Sequence, residues 1–492
     1  MLSYVNPMLC ASYEPRFTSA RTAGALLETA AGTPALFASF VGGTGPPGFS
    51  IQQVGEYDFA AKAGVAAYRD VVERMLAAGH EGWIEDFGEY TPLAARDARG
   101  RTGRALHNRS PVLYHCAVRR MTATRPIVRF QRSGWSGAAR CADDVWGGDP
   151  TTTFGFDGLS SAVKQALSIG LSGVSRWGSD IGGYDTIGAD PRLTPELLKR
   201  WIAFGAVSAV MRIKKSGLAI PSYTRPQVWD SGVIDVWRKF TKLHTQLYPY
   251  ILAADRHYRR TGMPLMRALL LRYPRDRLAA SAEDQYLFGP DLLAAPVVLA
   301  GRRSRSVYLP RGRWLDARAA LRYDAGGDGA YHAGAVRAIA GGRRVRVPAA
   351  LDELPLFLRA GAVIPLLSAD VSTVSDFGAG RVVRLVDRRD QLRLLAFPGP
   401  RRTSRMFSGE RLRSRVRRGA WTLAIEGARR RRYTVEASMA DLHRRGRRPF
   451  DVSAITVGGR PLPSSEWHQR HPGDVLTATF SARRAVVVVR SC

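Results

Sequence analysis

The sequence predicts an α/β protein, a parallel sheet with crossover helices followed by two smaller β-rich modules. Two observations carry this. Up to about Arg260, short apolar runs alternate with amphipathic stretches, the pattern of repeated β/α units, and parallel neighbours in such a sheet need crossover helices. Beyond Arg260 helical patterns become sparse, and short β-rich runs are separated by Gly, Pro and Arg, as in small β-sandwiches. A chain of 492 residues accommodates about two to four domains.

Taken in order, residues 65–78 place Val71, Val72, Met75 and Leu76 on one helical face, and Gly79 stops the helix. Residues 82–87 and 127–130 read as short strands, 159–169 as a helix and 171–177 as a strand. Residues 191–202 are expected to be helical and the apolar run 207–213 a strand. In the second part, strands are expected at 307–310, 345–348, 382–386, 392–397 and 485–489, with the join between the modules near 368–380. The Gly-rich stretch 42–48 lacks the Gly-Lys-Ser/Thr ending of a phosphate loop, and its prolines remove amide donors, so it reads as a surface turn. There is no tandem repeat.

Lys and Arg number 73 against 42 Asp and Glu, a net charge of +31, and only seven of the basic residues are lysines. Such a balance would suit a polyanion binder. It equally suits a GC-rich genome whose codons favour Arg and Ala, and that is the reading adopted. The densest runs, Arg429–Arg432 and His443–Arg448, have no stacking aromatics interleaved with them and read as solvated faces, so no specific nucleic-acid partner is expected. No stretch approaches the roughly 20 apolar residues of a membrane span. Residues 1–7 have neither the basic nor the apolar region of a signal peptide. The four cysteines, with no C-x-x-C pair, argue against a disulfide scaffold or a structural zinc site. The histidines form no H-x-x-x-H pair, His468 and His471 read as loop residues, and no metal is expected.

Two acids end apolar runs beside Trp and Gly: Asp86 in Gly82-Trp83-Ile84-Glu85-Asp86-Phe87-Gly88-Glu89-Tyr90, and Asp149 in Val145-Trp146-Gly147-Gly148-Asp149-Pro150. In a parallel barrel the C-terminal strand ends converge on one face, so such acids can meet there. Two carboxylates facing one sugar can divide the work, one attacking while the other donates a proton. By spacing alone each is more often a helix cap or a turn residue.

The segment around Asp86 resembles the nucleophile strand of glycoside hydrolase family 31, the family of α-glucosidases, α-xylosidases and sulfoquinovosidases. The resemblance continues, in the family's order, through Arg129-Phe130-Gln131-Arg132-Ser133-Gly134-Trp135-Ser136-Gly137, Trp146-Gly147-Gly148-Asp149 and Gly178-Ser179-Asp180-Ile181-Gly182-Gly183-Tyr184. Downstream, residues 288–296 and 351–365 are similar to its C-terminal β-domain. The match spans about residues 1–366; residues 367–492 resemble the family's distal β-domain in position only. The resemblance implies a (β/α)8 TIM barrel over 1–262, a proximal β-sandwich over 263–367 and a distal β-domain over 368–492. It implies retaining hydrolysis of an α-glycoside or oligosaccharide through a covalent glycosyl-enzyme. Asp86 would be the nucleophile and Asp149 the general acid and base. Arg132 would lie beside the nucleophile, Trp146 would wall the sugar pocket and Asp180 would bind sugar hydroxyls. The implied mechanism needs no metal or organic cofactor.

Three departures from the family pattern matter. Where the family commonly has a His two residues after the Arg of a late barrel strand, this chain has Arg212-Ile213-Lys214, and a charged lysine cannot accept a hydrogen bond. Tyr184 stands where Phe is frequent, and the Asp86–Tyr90 run looks like the sulfoquinovosidase branch. Lys214 and Tyr184 therefore raise an alternative substrate, an anionic sugar. Third, Tyr4-Val5-Asn6-Pro7 resembles the family's third barrel strand, so the barrel is expected to be incomplete at its N-terminal strands. A competing reading is a non-catalytic carbohydrate- or polyanion-binding remnant of a glycosidase. A barrel without two strands leaves apolar edges unpaired. The chain expressed alone is accordingly expected to be poorly soluble and of low turnover, which sedimentation of the lysate and an aryl-glycoside assay measure.

Overall fold

The computed structural model describes residues 2–42, 49–184, 192–213, 224–376, 380, 382–417, 419–442, 449–471 and 473–491. Strands β1 (Leu2–Val5), β2 (Gly82–Glu85), β3 (Val128–Gln131), β4 (Asp144–Trp146) and β5 (Trp177–Gly178) form a five-stranded parallel sheet in chain order. After Ser179 the chain continues as β6 (Asp180–Ile181), which pairs in parallel with β7 (Arg212–Ile213). Helices α1 (Lys62–Ala77), α2 (Ser110–Met121), α3 (Leu159–Leu171) and α4 (Pro195–Gly205) are the crossovers, and α5 (Ile234–Gln246) and α6 (Tyr248–Thr261) follow β7. This is the β/α succession of a barrel wall. Between β1 and α1 an antiparallel three-stranded sheet is inserted, with Phe49–Glu56 at its centre.

The helices form for local reasons and are held by what they bury. In α1 the apolar stripe puts Tyr68 and Val72 against Val5 and Trp83 on the strands. It stops where Gly79 takes φ +82° and the amides of Gly79 and His80 close on the carbonyls of Leu76 and Met75. In α4 the Thr194 hydroxyl accepts from the Leu197 amide at 3.2 Å, and Pro195 starts the helix.

Residues 171–177 are not the expected strand. Helix α3 runs to Leu171, Gly173 turns the chain at φ +87°, and only Trp177–Gly178 is extended. The run 207–213 is a strand only at Arg212–Ile213; Val207 is apolar because it is buried in the core, not because it is extended. Residues 382–386 are no strand either. A 3-10 turn forms at Leu385–Arg388, where the Asp387 carboxylate accepts from the Arg384 amide at 2.9 Å, a local bond that outcompetes β propensity.

The proximal module contains a six-stranded sheet in the order Met266–Ala268, Tyr286–Phe288, Leu292–Ala294, Leu356–Arg359, Arg313–Asp316, Ile339–Ala340. One core joins it to α3 through α6, through Trp177, Trp201, Phe204, Tyr286 and Phe288. The buried Arg200 of α4 spans the same junction, donating to the carbonyls of Ala350 and Ala349 at 2.8 Å and of Arg302 at 2.7 Å. The distal module is a nine-stranded sheet around the long antiparallel pair Ala420–Ser438 and Val475–Ser491. Its core includes Trp421, Tyr433 and Val487. Val363–Leu366 pairs into this sheet through Gln391–Ala396.

Within the Arg429–Arg432 run, Arg431 departs from the expected solvated face. It is buried, with its Nε 3.3 Å from the Glu410 carboxylate and its Nη1 donating to the Arg389 carbonyl at 2.7 Å. His468 lies on the short strand Trp467–Gln469 rather than in a loop. The turn at 43–48 and the basic run His443–Arg448 lie outside the described residues. No helix among the described residues is long and apolar enough to cross a membrane.

The cysteines need correction. Cys116 and Cys141 form a disulfide, with Cα atoms 5.1 Å apart, tying α2 to the loop between β3 and β4. Their separation of 25 residues carries no motif; only the packing of that loop on α2 brings them together. Closing such a loop stabilises by about 3 kcal/mol. A Cys141→Ser variant should therefore melt several degrees below the parent in calorimetry, and the parent's Cys116 should resist alkylation until a reductant is added.

Candidate active site

Alternation along the strands sorts the site residues. In β2, Trp83 and Glu85 point to the helices, where Trp83 joins the α1 core and Glu85 meets His115 of α2 at 2.7 Å. Ile84 and, just past the strand, Asp86 therefore point to the opposite face. In β3 the same rule turns Arg129 and Gln131 toward the helices and Phe130 and Arg132 inward. Asp86 lies one residue beyond β2, and its amide donates to the Val5 carbonyl at 2.9 Å, which extends the pairing with β1 up to the carboxylate.

Arg132 is the centre of the arrangement. Its Nη1 lies 2.9 Å from Asp86 Oδ1 and 3.5 Å from Asp149 Oδ2, and its Nε donates to Glu89 Oε1 at 2.8 Å. The guanidinium lies over the Phe87 ring at 4.2 Å. Burial opposes the charge, but the carboxylates of Asp86, Glu89 and Asp149 outweigh it and hold the Arg132 pKa above the ordinary arginine value. Tyr4 of β1 completes the shell: 47% exposed at the sheet edge, it turns its hydroxyl onto Asp86 Oδ2 at 2.6 Å. Removal of that hydroxyl from water and the adjacent Asp86 raise the Tyr4 pKa, so the phenol keeps its proton and donates.

The backbone just after Asp86 is bent to make this possible. Phe87 has φ +58°, a conformation unusual for a bulky residue, and its amide donates to Asp86 Oδ1 at 2.9 Å. Gly88 follows at φ +99°, and a Cβ there would lie 3.2 Å from both Ser133 Oγ and Tyr114 Cδ1. Ser133 donates to the Phe87 carbonyl at 2.6 Å and lies 3.1 Å from His115 Nε2, which ties the turn to the buried Glu85–His115 pair.

The other predicted residues fall into two groups. Trp146 and Asp180 form a second wall: Arg212 lies 2.8 Å from Asp180 Oδ1 and 5.0 Å from the Trp146 ring. The Arg132 guanidinium lies 5.9 Å from the same indole, so the two arginines flank it. Tyr184 is set near Asp149 through its backbone, its amide donating to the Pro150 carbonyl at 2.7 Å. Lys214 lies outside the described residues. Asp86, Arg132, Asp149, Trp146 and Asp180 are thus gathered on one face, with the Asp149 side chain 40% exposed.

Sequence reading missed Tyr4, Glu89 and Arg212 as site residues. Glu89 was visible as an acid three residues after Asp86, and Arg212 as the residue before Ile213-Lys214. Tyr4 was legible as part of a barrel strand, but nothing local pointed to its pairing with Asp86, 82 residues away. One group of side chains among the described residues has the spacing of a cation site, Asp324, Asp328 and His332 in the proximal module. There His332 is engaged by Asp328 at 3.0 Å and faces Arg393 at 3.0 Å, a poor setting for a cation.

A family model described as the glycosyl hydrolases family 31 TIM-barrel domain matches residues 1–254, and one described as the glycosyl hydrolase family 31 C-terminal domain matches residues 262–364. A sulfoquinovosidase of Agrobacterium fabrum is 31% identical over 367 residues, covering 73% of this chain and 51% of that relative. A sulfoquinovosidase of Escherichia coli is 30% identical over 381 residues, covering 76% of this chain and 51% of that relative. The chain thus spans about half the length of these curated relatives. In fold, the cycloalternan-forming enzyme of Listeria monocytogenes superposes with a TM-score of 0.80 at 22% identity, over 99% of this chain and 45% of that one.

A buried acid behind the site gives a pH test. Glu56 accepts from the Thr91 hydroxyl at 2.5 Å, and burial, with Glu89 nearby, pushes its pKa from 4.5 up to about 7. Between those values the folded chain holds a proton that the unfolded chain has released, so this group costs stability as pH rises through the window. Glu56→Gln should therefore gain on the parent, melting about 2 °C or more higher at pH 8 while matching it near pH 4.5; scanning calorimetry at the two pH values measures the difference.

Proposed function

Because the chain belongs to glycosyl hydrolase family 31, we propose that it carries the machinery for retaining hydrolysis of an α-glycoside, with Asp86 as nucleophile and Asp149 as general acid and base. The observation that supports this most directly is the single Arg132 nitrogen shared by both carboxylates. Through these contacts, at 2.9 and 3.5 Å, one nitrogen brings both carboxylates to the same small space, where a single bound sugar could meet an attacking and a proton-donating acid.

In this reading Asp86 attacks the anomeric carbon while Asp149 protonates the departing oxygen, and the bond to the leaving group breaks as the glycosyl ester forms. Asp149 then takes a proton from water, which attacks the same carbon from the face the leaving group vacated and frees Asp86. Arg132 and Tyr4 hold the Asp86 carboxylate by both oxygens, which fixes its angle of attack. Glu89 holds the guanidinium in turn. Trp146 offers an apolar wall to a sugar ring, and Asp180, held by Arg212, an acceptor for its hydroxyls.

A narrower substrate class has its own support. The two relatives described above, which match 73% and 76% of this chain, are each named sulfoquinovosidase, and the run Asp86-Phe87-Gly88-Glu89-Tyr90 resembles that branch. On this reading the sugar carries an anionic group, and Lys214 and Tyr184 favour it over glucose.

Asp86→Asn should lower release of nitrophenol from an aryl α-glycoside by about 1,000-fold or more with the circular dichroism spectrum unchanged, and proton NMR should show the α-anomer formed first. An active variant, or a β-anomer formed first, overturns the mechanism. Salt-sensitive heparin binding, with no hydrolysis even after the barrel strands expected before Tyr4 are supplied, would favour the non-catalytic reading. For the substrate, kcat/KM on an aryl α-sulfoquinovoside should exceed that on the α-glucoside by about tenfold or more, the scale of one charge-assisted contact; equal or reversed values remove the anionic class.

A further inference from the structure

Away from Asp86 and Asp149, a cavity of about 400 Å³ lies where α6, the proximal module and the distal module meet. That volume is within the range of small-molecule sites. Its walls are apolar where Tyr250 of α6, Val363, Met406 and Leu412 line it, all of them buried.

Arg267 is the unusual member of the lining. It is 7% exposed, and its Nε donates to the Pro264 carbonyl at 2.7 Å. Its Nη2 is buried and has no hydrogen-bond partner among the described residues. A guanidinium removed from water without full partners costs free energy that an anion would recover. The carboxylate that lines the same cavity, Asp291, is held by Arg402 of the distal module; its charge also acts on Arg267 but its oxygens give the Arg267 Nη2 no hydrogen bond. Two further arginines, Arg260 and Arg405, stand at the cavity with no acidic partner among the described residues. The excess of positive charge acts on His257: burial, followed by Arg267 and Arg260, lowers its pKa, which leaves a neutral imidazole able to donate one hydrogen bond.

We propose that this junction is a binding site for a small organic oxyanion, a carboxylate or sulfonate with an apolar body, whose charged group lies against Arg267 and whose body lies against Tyr250, Val363 and Leu412. The Arg side chain offers a planar fork that matches a carboxylate or sulfonate, and the apolar walls exclude water from the pair. Because the walls come from three modules, an occupant binds only when they are docked, and it stabilises the docked chain by mass action. The inference does not depend on the assignment of the nucleophile or the acid, since the cavity shares no residue with them.

The test uses the full chain with benzenesulfonate and 4-phenylbutyrate as probes, benzenesulfonamide and 4-phenylbutanol as neutral counterparts, and inorganic sulfate as the charge without the body. Titration calorimetry and thermal shift should show the two anions binding about tenfold or more tighter than the neutral counterparts and than sulfate, with the melting temperature rising with anion concentration. Arg267→Met should remove that preference. Arg405→Gln, at an exposed position, should weaken the anions several-fold and serves if the Arg267 variant does not fold. Equal binding of anion and neutral counterpart overturns the proposal, as do sulfate binding as tightly as benzenesulfonate, no binding of either anion at about 10 mM, or anion affinity unchanged in both variants.

Discussion

The candidate site is organised around one guanidinium and three carboxylates. Arg132 reaches Asp86, Glu89 and Asp149 from a single position, and its plane rests on the Phe87 ring. Acids from two different strand ends and the turn between them would repel one another if brought together bare. A planar cation with several donors lets them share one face, Nε and Nη2 donating to Glu89 while Nη1 lies against Asp86 and Asp149. The geometry also explains the bent backbone at Phe87 and Gly88. The chain must turn sharply for Glu89 to come back to the same arginine that holds Asp86, and the positive φ values are where that turn is made.

Behind this face lies a buried polar layer that keeps it still. The Glu85 carboxylate accepts from Trp83 Nε1 at 3.1 Å and from Gln131 at 3.3 Å, meets His115 at 2.7 Å and faces Arg129 at 3.6 Å. Arg129 also reaches Asp143 and the Cys141 carbonyl, both at 2.8 Å. Strands β2 and β3, helix α2 and the disulfide-tied loop are therefore joined by one network. A buried network with its groups satisfied gives rigidity, and the same groups left unsatisfied would be expensive. Asp86 and Arg132 inherit that rigidity, because alternation places them one residue away from Glu85 and Gln131 of the network.

Much of the site could be read from the chain because its residues are clustered in short motifs at strand ends: Asp86, Arg132, Trp146, Asp149 and Asp180 each follow an apolar run. The elements that were misjudged share a cause. Apolar runs such as 171–177 and 207–213 mark burial, and burial alone does not separate a helix end or a turn from a strand. At 382–386, valines sit near a turn whose hydrogen bond runs from the Arg384 amide to Asp387, a contact invisible to hydrophobic pattern. Tyr4 and the Cys116–Cys141 bridge were not visible for another reason: each depends on a partner brought close by packing of whole elements.

Apolar runs, turn residues and ordered motifs were enough to determine the class of the fold and the strand ends that carry the acids, because each is a local property of a few consecutive residues. Tertiary structure alone decided that one arginine nitrogen would bridge Asp86 and Asp149, that a tyrosine 82 residues away would hold the second oxygen of Asp86, and that three modules would enclose an arginine with a nitrogen that has no partner among the described residues. These depend on distances of a few ångströms between residues far apart in the chain, which no local rule encodes and only the packing of strands, helices and modules fixes.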